Sequence, residues 1–239
     1  MSGAPRPIFV IGSRCSGASL LTWSLGQHPS LLPLLDSSWL EPFAVSLEHT
    51  YAVGVQQRST SQLDIAGIEI EDFFEHFGRA VDWLLISAGT NGSRAATSYS
   101  ADLNGHAHQP VGAPNGCQPT RWVDGSPTNC FNVVGLHRLF PEGKFIHVLR
   151  DADSVVATLT DPAKRATFRS HWQKISEEAA YEHWLETVQA CVDAERALGS
   201  ATVLRILRDD LLGSPESTLR RCLDFVGESF DPVCLRPFR

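Results

Sequence analysis

Residues 7–21 read PIFVIGSRCSGASLL, and this stretch limits the fold more than any other. Residues 8–12, IFVIG, are a short unbroken apolar run rich in β-branched side chains, the signature of a parallel strand buried on both faces. Gly12, Ser16 and Gly17 then form a small-residue turn, and Leu20, Leu21, Trp23 and Leu25 follow at helical spacing until Gly26 and His28-Pro29 stop the helix near Gln27. A strand feeding a glycine-rich turn and a helix N-terminus is an anion site: unpaired N–H groups and the positive end of the helix dipole point at the ligand. The spacing Gly12, four residues, Gly17 nearly spells the nucleoside-triphosphate loop G-x-x-x-x-G-K-[ST], but Ala18 stands where the lysine belongs, before Ser19. An ATPase, GTPase or kinase needs that lysine for the β- and γ-phosphates, so the loop argues for a different phosphate ligand.

The remainder alternates in the same way. A second short strand is expected at 31–35, a helix at 70–86, a strand and turn at 121–127, a helix from about Thr128 to Leu139 and a strand at 144–151. A helix from about Asp153, a long amphipathic helix at 176–198, a strand at 201–207 and a helix at 215–228 complete the pattern. Alternating strands and helices predict an α/β fold: three layers, α/β/α, around a central, mostly parallel sheet of the P-loop-NTPase type. No linker divides residues 1–239, which are read as one domain. Gly, Ser, Asn, Ala, His and Pro dominate residues 87–120, read as a flexible loop-rich insertion and a possible lid over a site.

Net charge is −7, which excludes a generalised grip on nucleic acid or an anionic membrane. An anionic ligand must therefore be held by a local cluster of donors. No stretch approaches the roughly 20 apolar residues of a membrane span, and the N-terminus does not resemble a secretory signal. Six scattered cysteines (15, 117, 130, 191, 222 and 234) lack any C-x-x-C pair and read as free thiols of a reducing cytoplasm. The nine histidines have no ligand-spaced partners, so no metal site is expected.

The second informative stretch is KFIHVLRDADSVVATL, 144–159. Arg150 falls at the C-terminal end of a strand, where open parallel sheets bind ligands. Thr158 lies about two helical turns further on, and an arginine fork with a hydroxyl can bond one phosphate.

Together these segments resemble the sulfotransferases that use 3′-phosphoadenosine-5′-phosphosulfate (PAPS). Their 5′-phosphosulfate loop, G-x-x-[RK]-S-G-[TS]-[TS]-x-L, is matched by Gly12, Ser16, Gly17, Ser19 and Leu20. Their 3′-phosphate motif, R-[DN]-P-x-D-x-x-x-S, is matched by Arg150 and Asp151, with Thr158 for the serine, Ala152 for the proline and Ser154 for the aspartate. RWVDGSPTN (121–129) is similar to W-x-[DE]-[KG]-[ST]-P, and LRDDLLGSPESTLRRCLDFVG (207–227) to Y-E-D-L…P-x-x-x-L…L-x-F-[LV]-G, with Arg208 replacing the tyrosine. The resemblance spans about residues 7–45 and 121–231.

It implies a PAPS-dependent sulfotransferase that releases adenosine 3′,5′-bisphosphate, with a small-molecule, sugar or lipid hydroxyl as acceptor. The implied cofactor contacts are Gly12, Ser13, Arg14, Cys15, Ser16, Gly17, Ala18, Ser19, Arg150 and Thr158. The family's loop cation falls at Cys15 in an ungapped match, and Arg14 one place earlier is its candidate replacement. The family's carboxylate base after His-Pro falls at Asp36, with Glu41 second; Asp124, His137, His171 and His183 are further candidates. Trp39 is placed to line an acceptor pocket. Two other readings stay open: a catalytically inactive nucleotide-binding relative, because of Cys15, and a P-loop kinase, which would need a lysine the loop lacks.

Overall fold

The computed structural model describes residues 4–34, 37–56, 61–91, 100–101, 107–108, 119–163 and 175–239. Its centre is a five-stranded sheet built from Ile8–Ile11 (β1), Leu31–Leu34 (β2), Arg121–Asp124 (β5), Lys144–Leu149 (β6) and Val203–Leu207 (β7). Ser100–Ala101 (β3) and Ala107–His108 (β4) pair separately as a short antiparallel ribbon. The sheet order is β2-β5-β1-β6-β7, and every pairing in it is parallel. All five strands therefore end at one edge, and the segments that leave them converge there.

Side chains alternate across β1. Phe9 and Ile11 enter a core with Trp122, Phe140, Phe145, Leu136 and Cys191, whereas Ile8 and Val10 face Leu21, Leu25, Ile146, Leu219 and Leu223. Burial on both faces is why the strand reads as an unbroken apolar run. Each such side chain contributes about 1.5–3 kcal/mol by leaving water. On the first face the Phe9 ring lies edge-on to Trp122 at 5.3 Å and stacks on Phe145 at 4.9 Å. The helices Leu40–Gln56 (α2), Ile70–Asn91 (α4), Val133–Leu139 (α5) and Glu177–Leu198 (α7) contribute to that layer. Ala18–Leu25 (α1), Pro215–Val226 (α9) and the 3₁₀ segment Pro232–Phe238 cover the other face. The expected three-layer α/β/α arrangement is present.

Several boundaries differ from the sequence expectation. The helix α2 follows β2 where none was expected, with its buried face carried by Leu40, Ala44 and Leu47. A short helix, Gln62–Ile65 (α3), precedes α4. Helix α4 runs to Asn91, through residues assigned on composition to the 87–120 loop. Its glycines allow close packing: a Cβ on Gly78 would fall 1.8 Å from the Leu139 carbonyl oxygen, and one on Gly89 2.3 Å from a Leu32 methyl. The expected helix from Thr128 is a 3₁₀ turn, Pro127–Asn132, followed by α5, because the Asn132 side chain accepts from the Gly135 N–H and starts the α-helix there. Helix Ala152–Thr160 (α6) begins where Asp151 caps it, its side chain accepting from the Ser154 N–H. A helix Arg208–Gly213 (α8) directly follows β7.

Two polar ties fix the ends of the sheet. Buried Arg121 donates to the carbonyls of Arg6 and Val226 and pairs with Glu228 at 2.7 Å, joining the start of β5 to the end of α9. His28 accepts from the Ser30 N–H through Nδ1, so its Nε2 carries the proton and donates to the Ser229 carbonyl at 3.0 Å. The His28-Pro29 pair thus has a structural task. Among the described residues, no helix is long and apolar enough to cross a membrane.

Candidate active site

The turn between β1 and α1 lies at the C-terminal edge of the sheet and is held in a conformation few sequences tolerate. Gly12 and Gly17 have φ of 149° and 101°, and Cys15 adopts a left-handed φ of 62°. A Cβ on Gly12 would come within 2.5 Å of the Val148 carbonyl oxygen, so glycine is what lets the loop lie against β6. The Ser16 N–H donates to the Ser13 carbonyl at 3.0 Å and closes the turn. The hydroxyls of Ser13 and Ser16 are buried, and neither oxygen has a hydrogen-bond partner among the described residues. Leaving such groups unsatisfied costs about 1–3 kcal/mol each, a cost a bound anion removes. Gly17 itself is the N-cap of α1, with no side chain occupying the helix end.

The second turn meets the first directly. Arg150, just past β6, donates from Nη1 to the Cys15 carbonyl at 2.9 Å and to the Thr158 hydroxyl at 3.1 Å. The Thr158 hydroxyl itself donates to the Ser154 carbonyl at 2.8 Å, which leaves its oxygen free to accept from the arginine. From above, the Trp184 indole N–H donates to the Arg150 carbonyl. The Nε of Arg150 is buried and has no hydrogen-bond partner among the described residues. Burial holds this guanidinium below the usual arginine pKa, and the neighbouring charge of Arg208 pushes the same way. The structure thus brings together Gly12, Ser13, Cys15, Ser16 and Gly17 with Arg150 and Thr158.

The remaining residues of the loop fall differently. Arg14 is exposed, and its charge acts on His183 of α7, lowering the imidazole pKa in addition to the larger effect of burial. The Cys15 side chain packs against Val155, Leu159 and Ala180, so this position faces an apolar cluster beneath α6 and α7. Ala18 packs toward the core with Leu21 and Leu25, and Ser19 is exposed on α1.

On the other side of β1, Asp124 ends β5 and is fully buried. It accepts from Asn129 Nδ2 at 2.6 Å, the Ser126 hydroxyl at 2.8 Å and the Ser126 N–H at 3.1 Å. Burial raises its pKa against the lowering effect of these donors. Its oxygens are engaged in shaping the β5 turn, and the Ser126 hydroxyl in turn accepts from the Ser37 N–H at 2.8 Å. This contact brings Ser37 to the same edge. Asp36 lies outside the described residues, as does His171. Glu41 is half-buried in the first turn of α2. Trp39 is 43% exposed and meets Phe43 edge-on at 6.0 Å. His137 and His183 are half-buried rather than plain surface residues, each with one ring nitrogen buried and unpaired among the described residues.

Sequence reasoning gave no role to Arg208. Its side chain lies across Gly17: a Cβ built there would sit 3.3 Å from Arg208 Cγ and 3.5 Å from its Cδ. The signal was the residue's place immediately after β7, at the strand end that also carries Arg150 in β6. Chemically, the edge offers helix N–H groups, unsatisfied hydroxyls and two converging guanidiniums, an arrangement suited to a ligand with more than one anionic group.

Comparison with known proteins bears on the family and the fold. A family model described as "Sulfotransferase family" matches residues 7–232. The structure is similar to the sulfotransferase domain of the Synechococcus PCC 7002 olefin synthase, at 21% identity and a TM-score of 0.58, covering 100% of this chain and 79% of that one. It is similar as well to the sulfotransferase domain from the curacin biosynthetic pathway, at 20% identity, a TM-score of 0.58 and the same coverage. A third likeness is to the sulfotransferase STF9 of Mycobacterium avium, at 15% identity and a TM-score of 0.52, covering 100% of this chain and 68% of that one. A search of curated proteins finds no significant match. With the family match running over nearly the whole length, and with the fold shared, the chain belongs to the sulfotransferase family.

Proposed function

We propose that this chain transfers a sulfuryl group from PAPS to a hydroxyl of a small-molecule, sugar or lipid acceptor, leaving adenosine 3′,5′-bisphosphate. The observation that carries the reading is the single guanidinium of Arg150, which touches both the phosphate-loop backbone at Cys15 and the hydroxyl of Thr158. One nucleotide with a 3′-phosphate and a 5′-phosphosulfate matches two anion-binding turns in contact. The fit is supported by polar atoms left without partners there among the described residues: Ser13 Oγ, Ser16 Oγ and Arg150 Nε.

When bound, the donor supplies a sulfuryl group whose sulfur gains a bond to the acceptor oxygen as the S–O bond to the 5′-phosphate breaks, the electron pair staying on the phosphate. The chain's residues then have distinct tasks. The N–H groups at the start of α1 and the hydroxyls of Ser13 and Ser16 hold the 5′ end in line with the acceptor. Arg150 and Thr158 hold the 3′-phosphate, the group that separates this donor from ATP. A carboxylate takes the acceptor's proton as the new bond forms. Asp36 is assigned that task ahead of Glu41, and Trp39, exposed three residues later, lines the acceptor side. We place this activity in the cytoplasm, a reducing compartment compatible with cysteines that form no disulfide among the described residues.

A second reading is favoured by one observation. Cys15, at the family's cation position, is packed against Val155, Leu159 and Ala180, as it would be in a nucleotide-binding relative without activity. Incubation with ³⁵S-labelled PAPS and a panel of alcohols, sugars and glycolipids decides between them. Labelled sulfate ester that disappears in Asp36→Asn is the expected result. Tight adenosine 3′,5′-bisphosphate binding without transfer to any acceptor would favour the inactive relative.

A further inference from the structure

A transferring sulfuryl group and its phosphate leaving group carry charge that a loop of amides and hydroxyls balances only in part. Cys15 supplies no cation, and its side chain is turned into an apolar cluster. Arg14 is exposed, and its charge acts on His183 of α7. Arg208 is placed differently. It is half-buried, donates no hydrogen bond to a partner among the described residues, and runs along Gly17, with Cγ, Cδ and Nε at 3.3, 3.5 and 3.8 Å from a Cβ placed on that glycine. Gly17 is the N-cap of α1, and the unsatisfied hydroxyls of Ser13 and Ser16 belong to the same turn.

We propose that Arg208, reaching from the end of β7 across Gly17, is the cation that holds the 5′-phosphosulfate end of the donor, in place of the loop cation absent at Cys15. The proposal rests on the donor reading given above. Two like charges, Arg150 and Arg208, converge on one edge, and the repulsion between them depresses the Arg150 pKa beyond the effect of burial. Such an arrangement is stabilised when a polyanion lies between them. At position 17 the φ of 101° favours glycine, and a Cβ there would also lie 3.3 Å from Arg208 Cγ, a tight contact with the arginine's aliphatic stem. In this chain the cation thus arrives from the far side of the sheet edge, on a helix that begins at the arginine itself.

The test uses calorimetric titration of the full chain with adenosine 3′,5′-bisphosphate and with adenosine 3′-monophosphate, which lacks the 5′ anion. Arg208→Ala should bind the bisphosphate about 10- to 100-fold more weakly while binding the 3′-monophosphate as the wild type does. Arg208→Lys, which keeps the charge, should recover most of the loss. Because Arg208 has no hydrogen-bond partner among the described residues, the unliganded melting temperature should be unchanged, and Arg208→Gln serves as a second variant if the alanine chain is unstable. Equal weakening of both nucleotides, unchanged binding of both, or a loss confined to Arg14→Ala overturns the assignment of Arg208 and leaves the donor reading standing. A wild-type chain that binds neither nucleotide overturns the donor reading, and this proposal with it.

Discussion

Arg150 Nη1 lies 2.9 Å from the carbonyl oxygen of Cys15 and 3.1 Å from the hydroxyl of Thr158, so one side chain joins the turn after β1 to the helix after β6. Residues 135 positions apart in sequence are thereby fixed in a single edge of the sheet. If the edge binds a doubly phosphorylated adenosine, loss of this guanidinium removes contacts that no other described residue replaces. Arg150→Ala should weaken adenosine 3′,5′-bisphosphate binding roughly 100-fold or more, as for a partly buried charge-assisted contact. Thr158→Val should cost about 10-fold, and Thr158→Ser should be close to wild type. Isothermal titration reads both; wild-type affinity in Arg150→Ala would remove it from the 3′-phosphate site.

Function and stability should move in opposite directions at Ser16. Its hydroxyl is buried with no partner among the described residues, so the unliganded fold gains nothing from it. Ser16→Ala should leave the melting temperature of the free chain unchanged or raise it, while lowering bisphosphate affinity about 5- to 10-fold. A fall in melting temperature without a change in affinity would mark the hydroxyl as structural.

Stability should fall with acid. His147 is fully buried on β6, with Nδ1 2.7 Å from a Glu195 carboxylate oxygen, and Glu195 also pairs with Arg205. Burial lowers the His147 pKa and outweighs the raising effect of Glu195; His137 and His183 are lowered by burial too. In the unfolded chain these imidazoles take up protons near about pH 6.5, whereas the folded ones take them up only at lower pH. Over that interval the unfolded state binds more protons, so folding free energy drops as pH falls below about 6.5. Urea denaturation between pH 8 and pH 5 checks this, and His147→Gln should flatten the slope. A slope unaltered by that substitution would assign the effect to other groups.

The strands of the central sheet match the expectation because parallel strands buried on both faces leave apolar runs, unbroken in IFVI and interrupted by His147 in the FIHVL of β6, whereas the β3–β4 ribbon falls in residues read as loop. Helix α2 was hidden. It carries Pro42 in its first turn, and Leu40, Ala44 and Leu47 alone form its fully buried face. The end of α4 was hidden by composition: Ser87–Asn91 reads as loop, yet Gly89 is what permits the helix to lie against Leu32. At the site, the loop and Arg150 were legible because their residue types and spacing carry the chemistry. Arg208 was not, because the role proposed for it depends on its lying beside Gly17, a neighbourhood that exists only after the sheet order β1-β6-β7 is formed. The part Asp124 plays in shaping the β5 turn likewise became visible only once its donors Ser126 and Asn129 were seen.

Close helix packing gives a prediction independent of function. A Cβ at Gly78 meets the Leu139 carbonyl oxygen at 1.8 Å, a contact that backbone cannot yield without moving α4 from α5. Gly78→Ala should destabilise the fold by about 1–3 kcal/mol or more, despite the better helix propensity of alanine. Chemical denaturation that shows a more stable variant would contradict the placement of α4.

The central claim is that two anion-binding turns hold opposite ends of one nucleotide, and its most direct measurement is paired calorimetry of the wild-type chain with adenosine 3′,5′-bisphosphate and with ATP. Micromolar binding of the bisphosphate with ATP at least about 100-fold weaker is the result this account predicts. Equal affinity for the two, or binding of ATP alone, would contradict it.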